Sequence, residues 1–411
     1  MIPKGWSSQK LSSVASIIDC KHRTPEYVKS GIPLVSPGTI KWGALDLISP
    51  VKRVTEEEYR SLMDHCVVEQ GDLVMSRNQS VGVVSYVDSK KPFVLGQDTV
   101  LIKAIHADWR FIYYTLQSDL VQRQIAKSAG GSTFSRINLS DIRALNIKTP
   151  AICEQDKISQ ILTAWDKAIS VTEKLLTNSQ QQKKALMQQL LTGKKRLLDE
   201  NGTRFSETWK LYALSKLFQR VTTKNNGKSN NVVTISGQHG LIKQEDFFKK
   251  TVASDTLDGY FLLKKGQFAY NKSYSNGYPM GAIKRLNRYP EGVVTTLYIC
   301  FELTTPQKSC GDYWEHYFES GLLNNSLSQI AHEGGRAHGL LNVKPSDFFS
   351  LKVAVPGFEE QQKIASVLSA ADTEISTLEK KLACLKDEKK ALMQQLLTGK
   401  RRVKVDEAVA V

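Results

Sequence analysis

The chain has 411 residues, a formal net charge of +15 at pH 7 and an ordinary apolar content of 41%. Its length predicts two or three domains, and its basic excess favours a polyanionic partner. No apolar run approaches the ~18 residues that a membrane helix needs, and the N-terminus lacks a signal sequence, so we expect a soluble, cytoplasmic protein without a membrane partner. The six cysteines and seven histidines show no metal-ligand spacing, so we expect no metal site.

The first part of the chain has the pattern of a mixed α/β domain. Alternating apolar and polar residues around a Pro-Gly turn predict a hairpin over 32–48. Short apolar runs next to glycine turns predict strands, among them 71–78 and 97–105. A helical stretch over 111–129 leads to a Gly-Gly pair, and a last strand ends at Pro150.

Residues 201–355 follow the same outline with different letters. The hairpin, two of the strands and the helical stretch have counterparts over 232–247, 266–273, 295–303 and 313–332. The basic excess lies mainly in these two parts, with +5 over 1–153 and +7 over 201–355. The chain is therefore expected to consist of two related halves.

Each half ends in the same element. The segment KKALMQQLLTGK occurs at 183–194 and again at 389–400, and 26 of 48 residue pairs are identical over the surrounding block. Apolar residues recur at heptad spacing, interrupted by Lys183 in one copy and Lys389 in the other. A Thr-Gly pair stops each run, which predicts two helices of about 39 residues, each roughly 58 Å long. The heptads leave parallel and antiparallel packing open, and two separate core helices are the alternative reading.

The duplicated EQxKI…KKALMQQLLTGK blocks resemble those of the specificity (S) subunit of type I restriction-modification systems. The openings at Trp6 and Trp209, the GDLVMSR strand and the Gly-Gly…Pro exits support the resemblance. The second half departs from the pattern at Gly266-Gln267 and at Glu207-Thr208-Trp209. The resemblance implies an α+β fold in which two mixed α/β target-recognition domains are joined by two long helices, an antiparallel coiled coil with pseudo-two-fold symmetry. The expected segments are recognition domains at 1–149 and 201–355, the first long helix with a linker at 150–200, the second long helix at 356–403, and a disordered tail at 404–411.

The resemblance also implies the function and the partners. Each recognition domain is expected to read one half of a bipartite site in double-stranded DNA, while the coiled coil sets the spacing. Two methyltransferase (M) subunits that carry S-adenosylmethionine and methylate adenine are expected to dock on the helices, and two restriction (R) subunits that use ATP and Mg can join them. The expected partner-binding residues are Gln188, Gln189, Gln394 and Gln395.

Base recognition needs polar side chains on loops that can enter a groove. Strand exits and glycine-containing turns supply the candidates in both halves. In the first half they are Thr39, Lys41, Arg77, Asn78, Gln79, Ser132 and Arg136. In the second half they are Gln238, His239, Asn271, Lys272, Tyr274, Asn276, Arg336 and His338.

The chain shows no catalytic motif. It lacks the glycine-rich loop of an S-adenosylmethionine-dependent enzyme, and LLTGKK lacks the first glycine of a phosphate-binding loop because Gln188 stands there. We therefore expect a non-catalytic subunit without a cofactor of its own. The competing hypothesis is a non-catalytic coiled-coil adaptor whose globular halves bind protein or RNA.

Overall fold

The computed structural model describes residues 2–49, 52–130, 135–248, 256–333 and 341–405. The chain divides into two compact units. Unit 1 comprises Met1–Glu173 and Lys380–Val411, and unit 2 comprises Lys174–Glu379. Within the described ranges, no helix combines the length and the apolar character that crossing a lipid bilayer requires.

In its described residues, unit 1 has three sheets and four short α-helices beside the segments of the long helices. Its strands are β1 (Ser7–Lys10), β2 (Ala15–Asp19), β3 (Ile32–Val35), β4 (Gly43–Ala44), β5 (Arg53–Val54), β6 (Leu73–Ser76), β7 (Val84–Tyr86), β8 (Val94–Leu95), β9 (Thr99–Ala104) and β10 (Asn146–Thr149). Its short helices are α1 (Glu56–Met63), α2 (Trp109–Gln117), α3 (Asp119–Ala129) and α4 (Leu139–Ala144). The main sheet has the order β2-β9-β6-β7-β4, the smaller sheet has the order β5-β3-β8, and β1 pairs with β10.

The main sheet of unit 1 is covered on both faces. Leu73 and Met75 of β6 pack into one apolar cluster, while Val74 between them packs into another. Successive side chains of a strand point to opposite faces, so this continuous apolar run matches a strand that is buried on both sides. The first cluster includes Ile158 and Leu162 from the segment that follows β10. The α/β domain of unit 1 and the start of the long helix therefore share one core.

The first long helix, α5, spans Ile152–Leu190 and contains 39 residues. The strands of unit 2 are β11 (Lys210–Ala213), β12 (Phe218–Arg220), β13 (Val233–Ser236), β14 (Gly240–Lys243), β15 (Phe261–Lys264), β16 (Phe268–Asn271), β17 (Ala282–Arg285), β18 (Glu291–Val294), β19 (Ile299–Leu303), β20 (His332–Glu333), β21 (Leu341–Asn342) and β22 (Lys352–Val355). Its short helices are α6 (Leu214–Leu217), α7 (Gln244–Phe248), α8 (Gly311–Glu319), α9 (Asn324–Ile330) and α10 (Pro345–Ser350). The second long helix, α11, spans Phe358–Leu396 and also contains 39 residues, so the predicted lengths are confirmed.

Unit 2 repeats the plan of unit 1. Its largest sheet has the order β12-β19-β16-β17, and β11 pairs with β22 as β1 pairs with β10. Phe268 and Tyr270 of β16 face the cluster that contains Ile364 and Leu368 of α11, whereas Ala269 faces a separate cluster. Each α/β domain thus contains a sheet that is buried on both faces, and the core on one face continues onto a long helix.

The hairpin predicted over 32–48 is wrong. Strand β3 pairs with β5 and β8, while β4 pairs with β7, so the two strands belong to different sheets. Pro37–Thr39 forms a short 3-10 turn that Ser36 caps, and this turn redirects the chain instead of reversing it. The counterpart in unit 2 does form a hairpin, because β13 pairs with β14 from Val233↔Lys243 to Ser236↔Gly240.

The two long helices run antiparallel within each unit. In unit 1, Glu154 in the first turn of α5 accepts hydrogen bonds at 2.7 and 2.8 Å from Arg402, which lies just beyond the end of α11. In unit 2, Glu360 in the first turn of α11 accepts bonds at 2.6 and 2.7 Å from Arg196, which lies just beyond the end of α5. Both glutamates are buried. The start of each helix therefore lies beside the end of the other.

A buried glutamine secures the start of each long helix to its domain. The side-chain amide of Gln155 donates to the carbonyl of Pro150, and its oxygen accepts a bond from the backbone N–H of Asp108. Gln361 makes the two equivalent bonds in unit 2. The Glu-Gln pair that both copies keep thus holds the domain and the helix together.

The Thr-Gly pair ends both helices, as predicted. Gly193 and Gly399 have φ angles of +69° and +71°, a region that glycine adopts without strain. The ring of Trp209 lies 3.4 Å from the position that a Cβ on Gly193 would take, and Trp6 lies 3.3 Å from that position on Gly399. A side chain at either glycine would therefore meet an indole ring in addition to the backbone strain.

We expect Arg196→Ala to lower the free energy of unfolding by about 3 kcal/mol, because Glu360 would remain buried without its charged partner. Urea unfolding followed by tryptophan fluorescence measures the change. Lys195→Ala is the matched control, since Lys195 is exposed and adjacent. Equal unfolding midpoints for the two variants would contradict this role of the ion pair.

Candidate functional site

The polar exit of β6 and two neighbouring loops form one surface in unit 1, which we call loop surface 1 (Thr39, Lys41, Asn78, Gln79 and Arg136). Asn78 forms a β-bridge with Arg136, which connects the β6 exit to the segment before α4. A Cβ on Gly38 would lie 3.2 Å from the Gln79 side-chain oxygen, so the turn after β3 touches the same exit. The structure therefore brings together candidates that lie up to 97 residues apart in the sequence.

The side chains of loop surface 1 are held in different ways. The Arg136 guanidinium pairs with Asp98 at 2.7 Å, and Asn78 accepts a 2.6 Å bond from the backbone N–H of Gln79. Gln79 is exposed and has a φ angle of +58°, which costs a non-glycine residue some strain. The Thr39 hydroxyl donates to the carbonyl of Ser36, while the Lys41 side chain is exposed. This surface offers amide and guanidinium donors on a braced backbone.

Arg77 does not belong to this surface. Its side chain is only 6% exposed, and its guanidinium donates to Asp19 at 2.8 Å and to the Ile137 carbonyl at 3.1 Å. Its backbone also bonds to Asp98 and Ile137. The structure thus gives Arg77 a supporting position beneath the loops, where it has few donors left for a ligand.

Unit 2 places its candidates on two adjoining loops, which we call loop surface 2 (Gln238, His239, Tyr274 and Asn276). Gln238 and His239 are exposed at the tip of the β13–β14 hairpin. Tyr274 is 63% exposed, and Asn276 is exposed one residue before the positive-φ Gly277. Both loops therefore present polar or aromatic side chains to solvent.

Tyr278 connects the two loops of loop surface 2. Its hydroxyl donates to the Gly237 carbonyl at 2.8 Å and also contacts Glu319. The Lys284 ammonium donates to the same carbonyl at 2.7 Å and pairs with Glu319. Burial and the Glu319 carboxylate raise the pKa of Tyr278, so the phenol stays protonated. Sequence reasoning missed Tyr278 and Lys284 because no local pattern shows that they meet the hairpin tip.

Asn271 and Lys272 lie at the exit of β16 but are only half-exposed. The Asn271 side chain caps its own loop by accepting a bond from the Ser273 N–H, and the Lys272 ammonium lies 3.5 Å from the Val343 carbonyl. Burial, and then the nearby Arg220 charge, lower the pKa of Lys272. These two residues therefore support loop surface 2 from its side. The candidates Ser132, Arg336 and His338 lie outside the described residues.

A cleft of about 1060 Å³ opens beside loop surface 2 in unit 2. Gln238 and His239 line one side, and Lys183 and Asp372 of the long helices line another. Arg288 adds an exposed cation at its rim. The cleft is lined by both charge signs, so it is a polar groove and lacks the apolar lining typical of a small-molecule site.

One group of described residues has the composition of a metal site. Asp19, Cys20 and His22 offer ligand atoms within 4.8 Å of one another. The Asp19 carboxylate already pairs with Arg77 and with His22, and burial raises the pKa of the Cys20 thiol. A protonated thiol is a poor metal ligand, so these contacts favour a structural role for the group.

Residues 3–178 match the family profile described as the type I restriction modification DNA specificity domain. A type I restriction enzyme specificity subunit (MjaX) of Methanocaldococcus jannaschii is 24% identical over 428 aligned positions, covering 98% of this chain and 95% of that protein. Another such subunit (MjaIX) of the same organism is 22% identical over 177 positions, covering 42% of this chain and 40% of that protein. Over nearly its whole length the chain is thus similar to a type I restriction-modification specificity subunit, and its first part matches the DNA specificity domain of such subunits.

Solved structures of S subunits share the fold. The S subunit from M. genitalium has a TM-score of 0.58 at 17% identity, covering 97% of this chain and 99% of that chain. The HsdS subunit from Thermoanaerobacter tengcongensis has a TM-score of 0.50 at 16% identity, covering 97% and 98% of the two chains. The resemblance stated from the sequence and the predicted fold class are therefore confirmed.

The glutamines predicted to bind partners are all exposed near the ends of the long helices. Gln394 donates a 2.9 Å bond to Asp119 of its own unit, so part of its hydrogen-bonding capacity is used within the chain. Gln188 and Gln189 occupy the corresponding positions of the first copy. Their assignment to partner binding stays a prediction.

We expect Arg77→Ala to destabilise the protein by about 3 kcal/mol, because it removes the donor to the Ile137 carbonyl and the buried cation beside the Asp19 carboxylate. Thermal unfolding of the purified chain measures this. Lys41→Ala removes the same charge from an exposed side chain and should change stability by less than about 0.5 kcal/mol. A fully stable Arg77→Ala protein would show that the guanidinium does not brace the loops.

Proposed function

We propose that the chain is the DNA-recognition and scaffold subunit of a type I restriction-modification complex. Loop surface 1 reads one half of a bipartite site, and loop surface 2 reads the other. The long helices set the spacing between the halves and dock two methyltransferase subunits that use S-adenosylmethionine to methylate adenine. Restriction subunits that use ATP and Mg join this complex, while the chain itself performs no catalysis.

The proposal rests on the contrast between two sets of residues. One set holds each domain to a long helix, and we call these contacts the seat of the domain; the other set forms the loop surfaces. The residues that hold each domain to a long helix recur at an offset of 206, as Glu154 and Glu360 or Gln155 and Gln361 show. The two loop surfaces share no such identity. Two identical partners need equivalent docking positions, whereas two different half-sites need different reading surfaces.

Charge and side-chain chemistry support DNA as the ligand. Both parts of the chain that carry the loop surfaces have a positive excess, +5 over 1–153 and +7 over 201–355. Amide side chains such as Gln79 and Gln238 can pair with adenine edges, and a guanidinium such as Arg136 can pair with guanine. The similar proteins of Methanocaldococcus jannaschii are specificity subunits of restriction enzymes, which agrees with this interpretation.

The test is a map of N6-methyladenine in a host genome that carries the gene with its methyltransferase partner. We expect methylation at a split motif, and we expect deletion of the gene to abolish it. Unchanged methylation, with expression of both proteins established, would refute the proposal. Capture of RNA or of a different protein by the full chain would then support the adaptor hypothesis.

Loop variants test which surface reads which half. We expect Gln79→Ala with Arg136→Ala to relax base preference in one half of the motif, and Gln238→Ala with His239→Ala to relax it in the other. Each lost base contact should reduce discrimination about tenfold or more. Arg123→Ala and Lys308→Ala, both at exposed positions, are the charge controls. Relaxation of both halves by one pair of substitutions would contradict the assignment.

Paired insertions test the spacing. Four residues added to α5 at Gln181, with four added to α11 at the facing position, lengthen each helix by about one turn. We expect the motif to keep both half-sites while the number of bases between them changes. An unchanged spacer in a protein that still methylates DNA would show that helix length does not set the spacing.

A further inference from the structure

In unit 2, one group of polar side chains connects three helices: α5, α11 and α8 of the recognition domain. Asp372 on α11 pairs with Lys183 on α5, and its second oxygen lies 3.7 Å from the Nδ1 atom of His316 on α8. The other ring nitrogen of His316 lies 3.0 Å from the hydroxyl of Ser369, one turn earlier on α11. One carboxylate thus contacts both the opposite helix and the domain.

Unit 1 contains the same arrangement with a different ring. Asp166 on α5 pairs with Lys389 on α11 and accepts a 2.7 Å hydrogen bond from the hydroxyl of Tyr114 on α2. The Tyr114 hydroxyl also lies 3.2 Å from that of Thr163, one turn earlier on α5. The Lys389 ammonium lies 5.3 Å from the centre of the Tyr114 ring. Aspartate, lysine, hydroxyl and ring therefore occur in both units.

These contacts add direction further along the long helices than the buried glutamines, which act at the helix starts. Between the two sets, the domains also contact the long helices through apolar side chains, Ile158 and Leu162 in unit 1 and Ile364 and Leu368 in unit 2. Apolar contacts are non-directional and tolerate sliding or rotation, whereas a hydrogen bond restricts distance and angle. A lysine on a heptad seam reduces apolar packing, and polar residues at such positions are known to specify register.

We propose that Asp166 and Asp372 are positioning residues, each of which fixes the register of the helix pair and the seating of one recognition domain at the same time. The consequence for DNA rests on the proposed function: each aspartate orients the loop surface of its own unit. The seating itself is a property of the chain and can be measured without DNA.

The two positions differ in their response to pH. His316 faces Lys183 from α5, Asp372 and Ser369 from α11, and Asp312 and Glu319 from its own helix. Burial, and then the Lys183 charge, lower the pKa of His316, so the folded protein holds the neutral imidazole near pH 7. Because the unfolded chain binds the proton more readily, the seat of unit 2 loses stability as the pH falls through about 6.5.

Tyr114 behaves differently from His316. Burial raises the pKa of its phenol, which stays protonated between pH 5 and 8 in both the folded and the unfolded chain. The seat of unit 1 therefore gains no pH dependence from this ring. The chain offers an internal comparison, in which equivalent aspartates contact a titrating ring in one unit and a non-titrating ring in the other.

Hydrogen–deuterium exchange of the full chain tests the proposal. We expect Asp372→Asn to lower protection of the backbone amides in α8 several-fold, because it removes the carboxylate that lies between Lys183 and His316, and to leave α2 unchanged. Asp166→Asn should give the reverse pattern. Asp156→Asn, at an exposed position whose carboxylate bonds only to Gln160 within α5, is the control and should change neither helix.

The pH profile separates positioning from general stabilisation. After correction for intrinsic exchange rates, we expect protection of α8 to fall between pH 7 and 5.5 in the natural protein. His316→Tyr should remove this fall, and Tyr114→His should introduce one in α2. The proposal would be overturned if either aspartate variant lowered the protection of α2 and α8 equally. It would also be overturned if His316→Tyr and Tyr114→His left the pH dependence of protection unchanged. Such a result would leave the proposed DNA recognition untouched, since the measurement contains no DNA.

Discussion

The buried glutamate at the start of each long helix constrains the whole chain. Glu154 and Glu360 are almost fully buried, and a buried carboxylate is tolerable only when a cation or several hydrogen-bond donors meet it. The cation comes each time from an arginine six residues beyond the end of the other helix, Arg402 or Arg196. A parallel pair would bring the two helix starts together and leave both carboxylates without their arginines. The ion pairs therefore select the antiparallel arrangement.

The same constraint explains why residues that hold the domains to the long helices recur in both units while the loop residues differ. The repeated block includes the glutamates, the glutamines that bond the domain backbone and the glycines against the tryptophan rings. Each of these residues contacts two elements, so a change in one would disturb both. The loop surfaces extend beyond the strands and contact solvent, so their residues can differ between units without cost to the seat. A constant seat with variable loops is the arrangement that a pair of half-site readers requires.

The local parts of this structure could be predicted from the sequence, and the long-range contacts could not. Heptads and the Thr-Gly stop give the length of both helices because each signal lies within the helix itself. The direction of packing depends on pairs such as Glu154 and Arg402, which are 248 residues apart. The residues over 32–48 alternate like a hairpin, but their strands pair with β5, β7 and β8, which are remote in sequence. Alternation shows that a strand is half-buried and does not identify its partner.

The candidate site shows the same division. A polar residue after a strand is a fair signal of a loop, and it located Gln79 and Gln238 on exposed surfaces. It failed to distinguish Arg77, because only the fold brings Asp19 and the Ile137 carbonyl to its guanidinium. That buried arginine anchors the backbone from which Asn78 and Gln79 project, so the position of these candidate side chains depends on a residue beneath the loops. Bracing of this kind reduces the entropy that the loops would lose on binding, and it allows exposed side chains to change while their backbone positions persist.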